Sequence, residues 1–191
     1  EVQLTITIYL VAICISQIFW GPLSDLIGRR IVLIIGASLF SLGGILSALN
    51  LAFEVFVFFR FVQGIGAAAC LSMPRVMLTE SYGVKKAAAK MSTLLAFMAI
   101  FPILSAAFGG YIGENYGWQI NFFTLFLFGG IVFSLNYIYT PETIKNKNKR
   151  LTFRATFLDF RYLFGQISFL YFAGVSSIQA AFFFSMAGFM P

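Results

Sequence analysis

The chain has 191 residues, a formal net charge of +6, and a composition that is 60% hydrophobic but only 10% charged, where a soluble domain carries about 25% charged residues. Thirteen Lys and Arg with seven Asp and Glu cannot clothe a soluble surface of this length, and the mean hydropathy is +0.89. These values exclude a disordered chain, a disulfide-stapled secreted domain and a conventional cytosolic enzyme, and they point to a polytopic membrane protein.

Six apolar blocks are each long enough to cross a bilayer as a helix, which takes about 17 to 25 residues. In chain order they run over Val2–Trp20, Ile31–Leu51, Val55–Met77, Met91–Ile112, Trp118–Tyr139 and Leu163–Phe189. Barrel strands would alternate apolar and polar residues, whereas these blocks are continuous. A helix satisfies every backbone N–H and C=O within its own segment, as hydrocarbon demands. The expected fold class is therefore all-α, a polytopic membrane helix bundle.

The basic residues fix the orientation. Arg29 and Arg30 follow the first block; Arg75, Lys85, Lys86 and Lys90 surround the connection after the third. Six more, from Lys145 to Arg161, lie between the fifth and sixth. The alternate connections carry none, and Arg60 alone of the 13 lies toward their side. The positive-inside rule makes the connections at 21–30, 78–90 and 141–162 cytoplasmic. Because the charge is distributed between apolar blocks and forms no face or arm, no nucleic-acid partner is expected; the bilayer is. Cys14 and Cys70 fall in apolar stretches and read as small buried hydrophobes. With no His in the chain, Cys-His zinc chemistry and a His base are excluded, and no metal or cofactor is expected.

The stretch Gly21-Pro22-Leu23-Ser24-Asp25-Leu26-Ile27-Gly28-Arg29-Arg30 reads as a helix end and a tight cytoplasmic turn. Gly21 permits close helix approach, Gly28 supplies unusual backbone angles, and Asp25 and Arg29 are four apart and able to pair if that segment is helical. A capped helix end followed by positive-inside anchors explains the same residues without any further role. Arg60 lies inside a span, where it faces a cavity or partner, or else snorkels to the outer interface. Pro102 removes one helix hydrogen bond from the fourth block and allows a kink there, while Gly109, Gly110 and Gly113 suit helix packing. Trp118 falls at the outer interface and Tyr137 and Tyr139 near the inner one, as an aromatic belt. Phe182, Phe183 and Phe184 are too consecutive to form one stripe and meet lipid or neighbouring helices. There is no Gly-rich phosphate loop with Lys-Ser/Thr. No acidic residue lies deep in a span: Asp25 and Glu80 are near the inner face, Glu54 and Glu114 near the outer.

Gly21–Arg30 resembles the loop motif between the second and third transmembrane helices of the major facilitator superfamily. Arg60-Phe61-Val62-Gln63-Gly64-Ile65-Gly66 resembles the start of the fourth helix in its drug:proton antiporters. Pro102–Gly110 with Gly117-Trp118 resembles the fifth helix and the entry to the sixth, with Ala106 where those proteins carry a second proline. Pro141-Glu142-Thr143 resembles a common end of the sixth. The likeness is to the bicyclomycin-resistance (Bcr/CflA) group and covers nearly the whole chain. It implies a partial major facilitator fold, six helices of an expected twelve, corresponding to the second through seventh.

On that resemblance, residues 1–140 are an incomplete N-terminal bundle of five helices, 141–162 a cytoplasmic linker, and 163–191 the first helix of a C-terminal bundle. Gly21, Asp25, Gly28, Arg29 and Arg30 would belong to the cytoplasmic gate. Arg60, Gln63, Gly64, Pro102, Gly109 and Gly110 would belong to the transport and coupling region. The expected activity is drug/proton antiport, not enzymatic catalysis, across a bacterial inner membrane. The expected partners are a small drug-like substrate, protons, and the first helix and C-terminal half of the same protein. Alternatives are a major facilitator carrier for a metabolite or sugar, or a nonfunctional remnant of a truncated transporter gene.

Overall fold

The computed structural model describes residues 2–49, 52–144, 162, 164–171 and 173–178. Five helices are long and apolar enough to cross a membrane: α1 (Val2–Ile27), α2 (Arg29–Ala48), α3 (Phe53–Gly83), α4 (Lys85–Tyr116) and α5 (Trp118–Tyr139). A shorter apolar helix, α6, covers Ile167–Ile178. Of the sixth expected block only 164–171 and 173–178 are described; Phe182, Phe183 and Phe184 and most of the linker lie outside the described residues. By contact density the chain divides into two compact units, 1–148 and 149–191.

Three helix junctions rest on single glycines. Gly28 (φ 114, ψ 146) separates α1 from α2, and Gly117 (φ 89, ψ 158) separates α4 from α5. The helical run Phe53–Tyr116 is broken at Gly83 (φ 71, ψ 159), which divides α3 from α4. Positive φ with extended ψ is territory that side chains other than glycine's rarely enter. These breaks correct two expectations. The first span does not end at Trp20: it continues through Pro22 to Ile27, so the expected ten-residue turn contracts to Gly28 alone. Likewise α3 and α4 extend past the apolar blocks that announce them, to meet at Gly83. Hydropathy marks the stretch that lipid requires, but backbone hydrogen bonding carries a helix onward until a glycine interrupts it.

Within the first unit, α2 packs against α3 and α5, and α1 packs against α3. Trp20, Val32, Leu33, Ala68, Ala69, Met73 and Met77 form the shared core of α1, α2 and α3. Small residues set the close approach: a Cβ at Gly43 would lie 2.7 Å from Gln63 Cβ, and one at Gly64 would lie 2.6 Å from the Tyr9 carbonyl oxygen. Removing the side chain lets helix backbones meet where lipid supplies no hydrophobic drive between them. Two hydrogen bonds cross these contacts. Trp20 Nε1 donates to the Ile65 carbonyl at 2.9 Å, and Ser41 Oγ donates to the Phe126 carbonyl at 2.9 Å.

The fourth helix differs. No residue of its most apolar stretch is buried, and Phe97, Phe101 and Phe108 are all exposed. Cys14 is also exposed, against the expectation of burial, because its face of α1 points away from α3; Cys70 is half-buried.

Candidate functional site: a cytoplasmic charge cluster and a membrane-embedded arginine

The break at Gly28 turns Arg29 back toward α1 and across to α3. Its guanidinium pairs with the Asp25 carboxylate and donates to Ser24 Oγ, both on the last turn of α1. It also reaches the Gly21 carbonyl oxygen at 3.4 Å. From the other side Glu80, near the end of α3, accepts from Arg29 Nε at 3.2 Å and from Nη2 at 3.1 Å. One planar cation with five fixed donors thus holds the ends of α1, α2 and α3 together, a task the point charge of Lys does not reproduce. The Arg29 side chain is only 11% exposed, whereas Asp25 is 40% exposed, so the pair with Glu80 is the better shielded from water.

Arg30 points elsewhere. Its Nη2 donates to the Tyr137 carbonyl at 2.6 Å, tying the start of α2 to the end of α5. The segment after α5 joins the same cluster: Glu142 Oε1 accepts the Arg29 backbone N–H at 3.0 Å, and Thr143 Oγ1 donates to Glu80 Oε2 at 2.6 Å. Of the five residues named from the sequence here, Asp25, Gly28 and Arg29 meet in one network, while the Arg30 side chain bonds the end of α5 instead. Gly21 contributes through its carbonyl; nothing lies within 4 Å of where its Cβ would be, so it serves no close helix approach among the described residues.

The second cluster is embedded in the bundle. Arg60 on α3 turns its guanidinium inward, 4.5 Å from the centre of the Tyr9 ring on α1 and 5.3 Å from the Phe122 ring on α5. Arg60 Nη1 donates to Gln63 Oε1 at 2.6 Å. The aromatic faces offer negative charge density to a cation that has lost most of its water. Phe122 is in turn met edge-on by Phe56 at 5.4 Å and Trp118 at 5.9 Å, which places Trp118 in an aromatic cluster. Of the two readings open for Arg60, the inward one is observed. Gln63 is fully buried, and neither its Nε2 nor Arg60 Nε has a hydrogen-bond partner among the described residues. Both are donors, and a buried donor without an acceptor is costly. Gly64 lies next to this pair, and its missing side chain lets α1 approach at Tyr9 and Ala12.

Pro102, Gly109 and Gly110 lie on α4, away from both clusters. No atom stands within 4 Å of a Cβ at Gly109 or Gly110, so the expected packing role is not met among the described residues. The Gly109 carbonyl accepts from Asn121 Nδ2 at 3.0 Å. No group of metal-ligating side chains occurs among the described residues. Sequence reasoning named neither Glu80 and Thr143 nor Tyr9 and Phe122 as site residues. Pro141-Glu142-Thr143 carried a signal as a motif but no role, and two aromatics in so aromatic a chain carried no signal at all.

The comparisons with known proteins agree with this architecture. The bicyclomycin resistance protein homolog of Haemophilus influenzae is 30% identical over 154 residues, covering 78% of this chain and 37% of that protein. Multidrug resistance protein MdtL of Shewanella sp. is 28% identical over 143 residues, covering 75% of this chain and 36% of the relative. MdtL of Escherichia coli O81 is 29% identical over 143 residues, covering 75% and 37%. The chain thus spans little more than a third of the length of these curated relatives. The family model described as Major Facilitator Superfamily matches residues 1–191. With that match across every residue and five helices long and apolar enough to cross a membrane, the chain is multi-pass, of the bacterial inner membrane, and belongs to the major facilitator superfamily.

Proposed function

We propose that this chain is part of a secondary transporter that exports small, mostly apolar compounds in exchange for protons. The observation that carries the reading is the Arg60–Gln63 pair. A guanidinium beside two rings, next to a fully buried amide whose N–H has no partner among the described residues, is an acceptor-seeking centre inside a membrane bundle. Ionisable groups at that depth are expensive and usually serve transport or coupling. A cargo carbonyl, or a carboxylate that gains and loses a proton, has the chemistry to answer those donors. The relatives' names, multidrug resistance and bicyclomycin resistance, support a drug cargo. A transporter of this kind performs no covalent chemistry on its cargo, so it is not an enzyme.

Asp25, Gly28, Arg29 and Arg30, with the Gly21 carbonyl, act in this reading as one side of the cytoplasmic gate. Two half-bundles rock about a central site, and the Arg29 cluster keeps the inner ends of α1, α2 and α3 moving as one body. Residues 1–140 belong to the first half, 141–162 to the linker and 163–191 to the second. Pro102, with Gly109 and Gly110, gives α4 the freedom to bend during that motion.

The test is a growth-inhibition panel with the full-length gene product, with and without a proton gradient. Arg60→Ala is expected to abolish protection, and Arg60→Lys to restore little, since a compact ammonium does not reproduce the planar cation that bonds Gln63 while standing beside two rings. Full protection by Arg60→Ala, or protection indifferent to the proton gradient while a sugar or amino acid accumulates, overturns the proposal.

A further inference from the structure

Glu142 lies just beyond the end of α5 and stands outside the ion pairs of Arg29, yet it touches the turn more intimately than either partner. Its Oε1 accepts three backbone N–H groups: Arg29 at 3.0 Å, Thr143 at 3.1 Å and Ile144 at 3.3 Å. The Arg29 amide opens α2, and no residue within that helix can accept from it. Gly28, at the N-cap position, has no side chain with which to do so. The cap therefore comes from a carboxylate 113 residues later in the chain, placed at the end of the helix where negative charge is favoured.

Space at the turn has been left for this carboxylate. A Cβ on Gly28 would collide with Glu142 Oε2 and lie 3.1 Å from its Cδ. Glycine is thus required at position 28 for two separate reasons, the positive φ and the seat of a side chain from another element. The neighbouring Thr143 hydroxyl grips Glu80 at 2.6 Å, and Glu80 holds the Arg29 side chain. Two consecutive residues therefore seize both the backbone of Arg29 and the acid that orients its guanidinium.

We propose that Glu142 and Thr143 form a positioning latch that clamps the chain leaving α5 onto the first residue of α2. The latch itself follows from the contacts above. Its consequence for transport rests on the gating role proposed for Arg29.

The experiment is hydrogen exchange at the Arg29 amide in the 191-residue chain reconstituted in lipid nanodiscs, with mid-α2 amides around Gly43 as the internal reference. Glu142→Ala is expected to speed exchange at Arg29 by about tenfold, the worth of one hydrogen bond with charged character, with the reference amides unchanged. Glu142→Gln keeps a side-chain carbonyl in place and is expected to stay within about threefold of the parent. Unchanged exchange in Glu142→Ala overturns the proposal, and so does a Glu142→Gln rate equal to that of Glu142→Ala. Should Glu142→Ala unfold, Glu142→Gln and Gly28→Ala decide. Gly28→Ala is expected to lower the unfolding midpoint less in a Glu142→Gln chain, whose amide is more easily displaced, than in the parent. An equal loss in both overturns the latch. In the full-length protein, Glu142→Ala is expected to reduce drug efflux severalfold. Lost Arg29 protection with undiminished efflux would overturn the link to gating and leave the latch standing.

Discussion

Helices α3 and α4 come from one nearly uninterrupted helical run, are both apolar, and both carry glycines, yet they live in different surroundings. On α3, Gly64 and Gly66 meet the backbones of α1 and α2, and Gln63 is sealed from solvent. On α4, no atom of the described residues stands within 4 Å of a Cβ at Gly109 or Gly110, and Phe97, Phe101 and Phe108 are exposed. The same residue type at similar helical positions is an interface in one helix and a vacancy in the other. A glycine thus carries no packing information by itself; what stands opposite it decides.

The sharpest way to break this comparison is to add one methyl group to each helix. Gly64→Ala is expected to destabilise the bundle by about 2 kcal/mol, because its Cβ would press on the Tyr9 carbonyl and on Ala12 Cβ 2.7 Å away, and neither is a flexible side-chain end. Thermal unfolding of the chain in detergent measures it. A neutral outcome would mean that α1 and α3 do not approach as described.

Of comparable or slightly smaller size is the effect of Arg29→Ala, which unties α1, α2 and α3 at once. Breaking a buried pair costs about 3–5 kcal/mol; Asp25 is 40% exposed and Glu80 30% exposed, so solvent screening brings the expected loss to about 1–2 kcal/mol. The same unfolding measurement at low and high salt checks it, with a smaller difference between parent and variant at high salt.

Trp20→Phe sharpens the comparison at a single bond. It keeps most of the buried ring and leaves the Ile65 carbonyl without the indole donor, for an expected loss of about 1 kcal/mol. The smallest effect belongs to α4. Gly109→Ala is expected to be neutral or to gain about 0.5 kcal/mol, since alanine favours the helix and its methyl group meets nothing among the described residues. A marked loss there would show that α4 packs against a surface outside the described residues. The sign difference between Gly64 and Gly109, more than either magnitude, tests the contrast.

Much of the fold was legible because lipid is an undemanding reader. Continuous apolar runs have one solution in hydrocarbon, and the fifth block, Trp118–Tyr139, matches α5 at both ends because Gly117 and Thr140 bound it. The other boundaries drifted where helices leave the apolar zone: α1 runs on through seven further residues from Gly21 to Ile27. At the cytoplasmic cluster, Asp25 and Arg29 were readable from their spacing. Glu80 and Glu142 were not, since each comes from a distant element and local pattern says nothing of which carboxylates converge. Arg60 and Gln63 could be read as partners at helical spacing, but the rings of Tyr9 and Phe122 enclosing them lay 51 and 62 positions from Arg60 in the chain.

Composition and charge placement alone determined that this is a membrane helix bundle, and they marked the apolar centre of each of its five long helices and an expected orientation with the Lys- and Arg-rich connections on the cytoplasmic side, because burial in lipid and the distribution of Lys and Arg act on sequence directly. Motif spacing brought the family into view. Only the tertiary structure decided that Arg60 turns inward and that one glycine seats a carboxylate from the segment after α5. It also decided which glycines are contacts. Those outcomes depend on what stands across a gap of a few ångströms, and distance along a chain does not encode it.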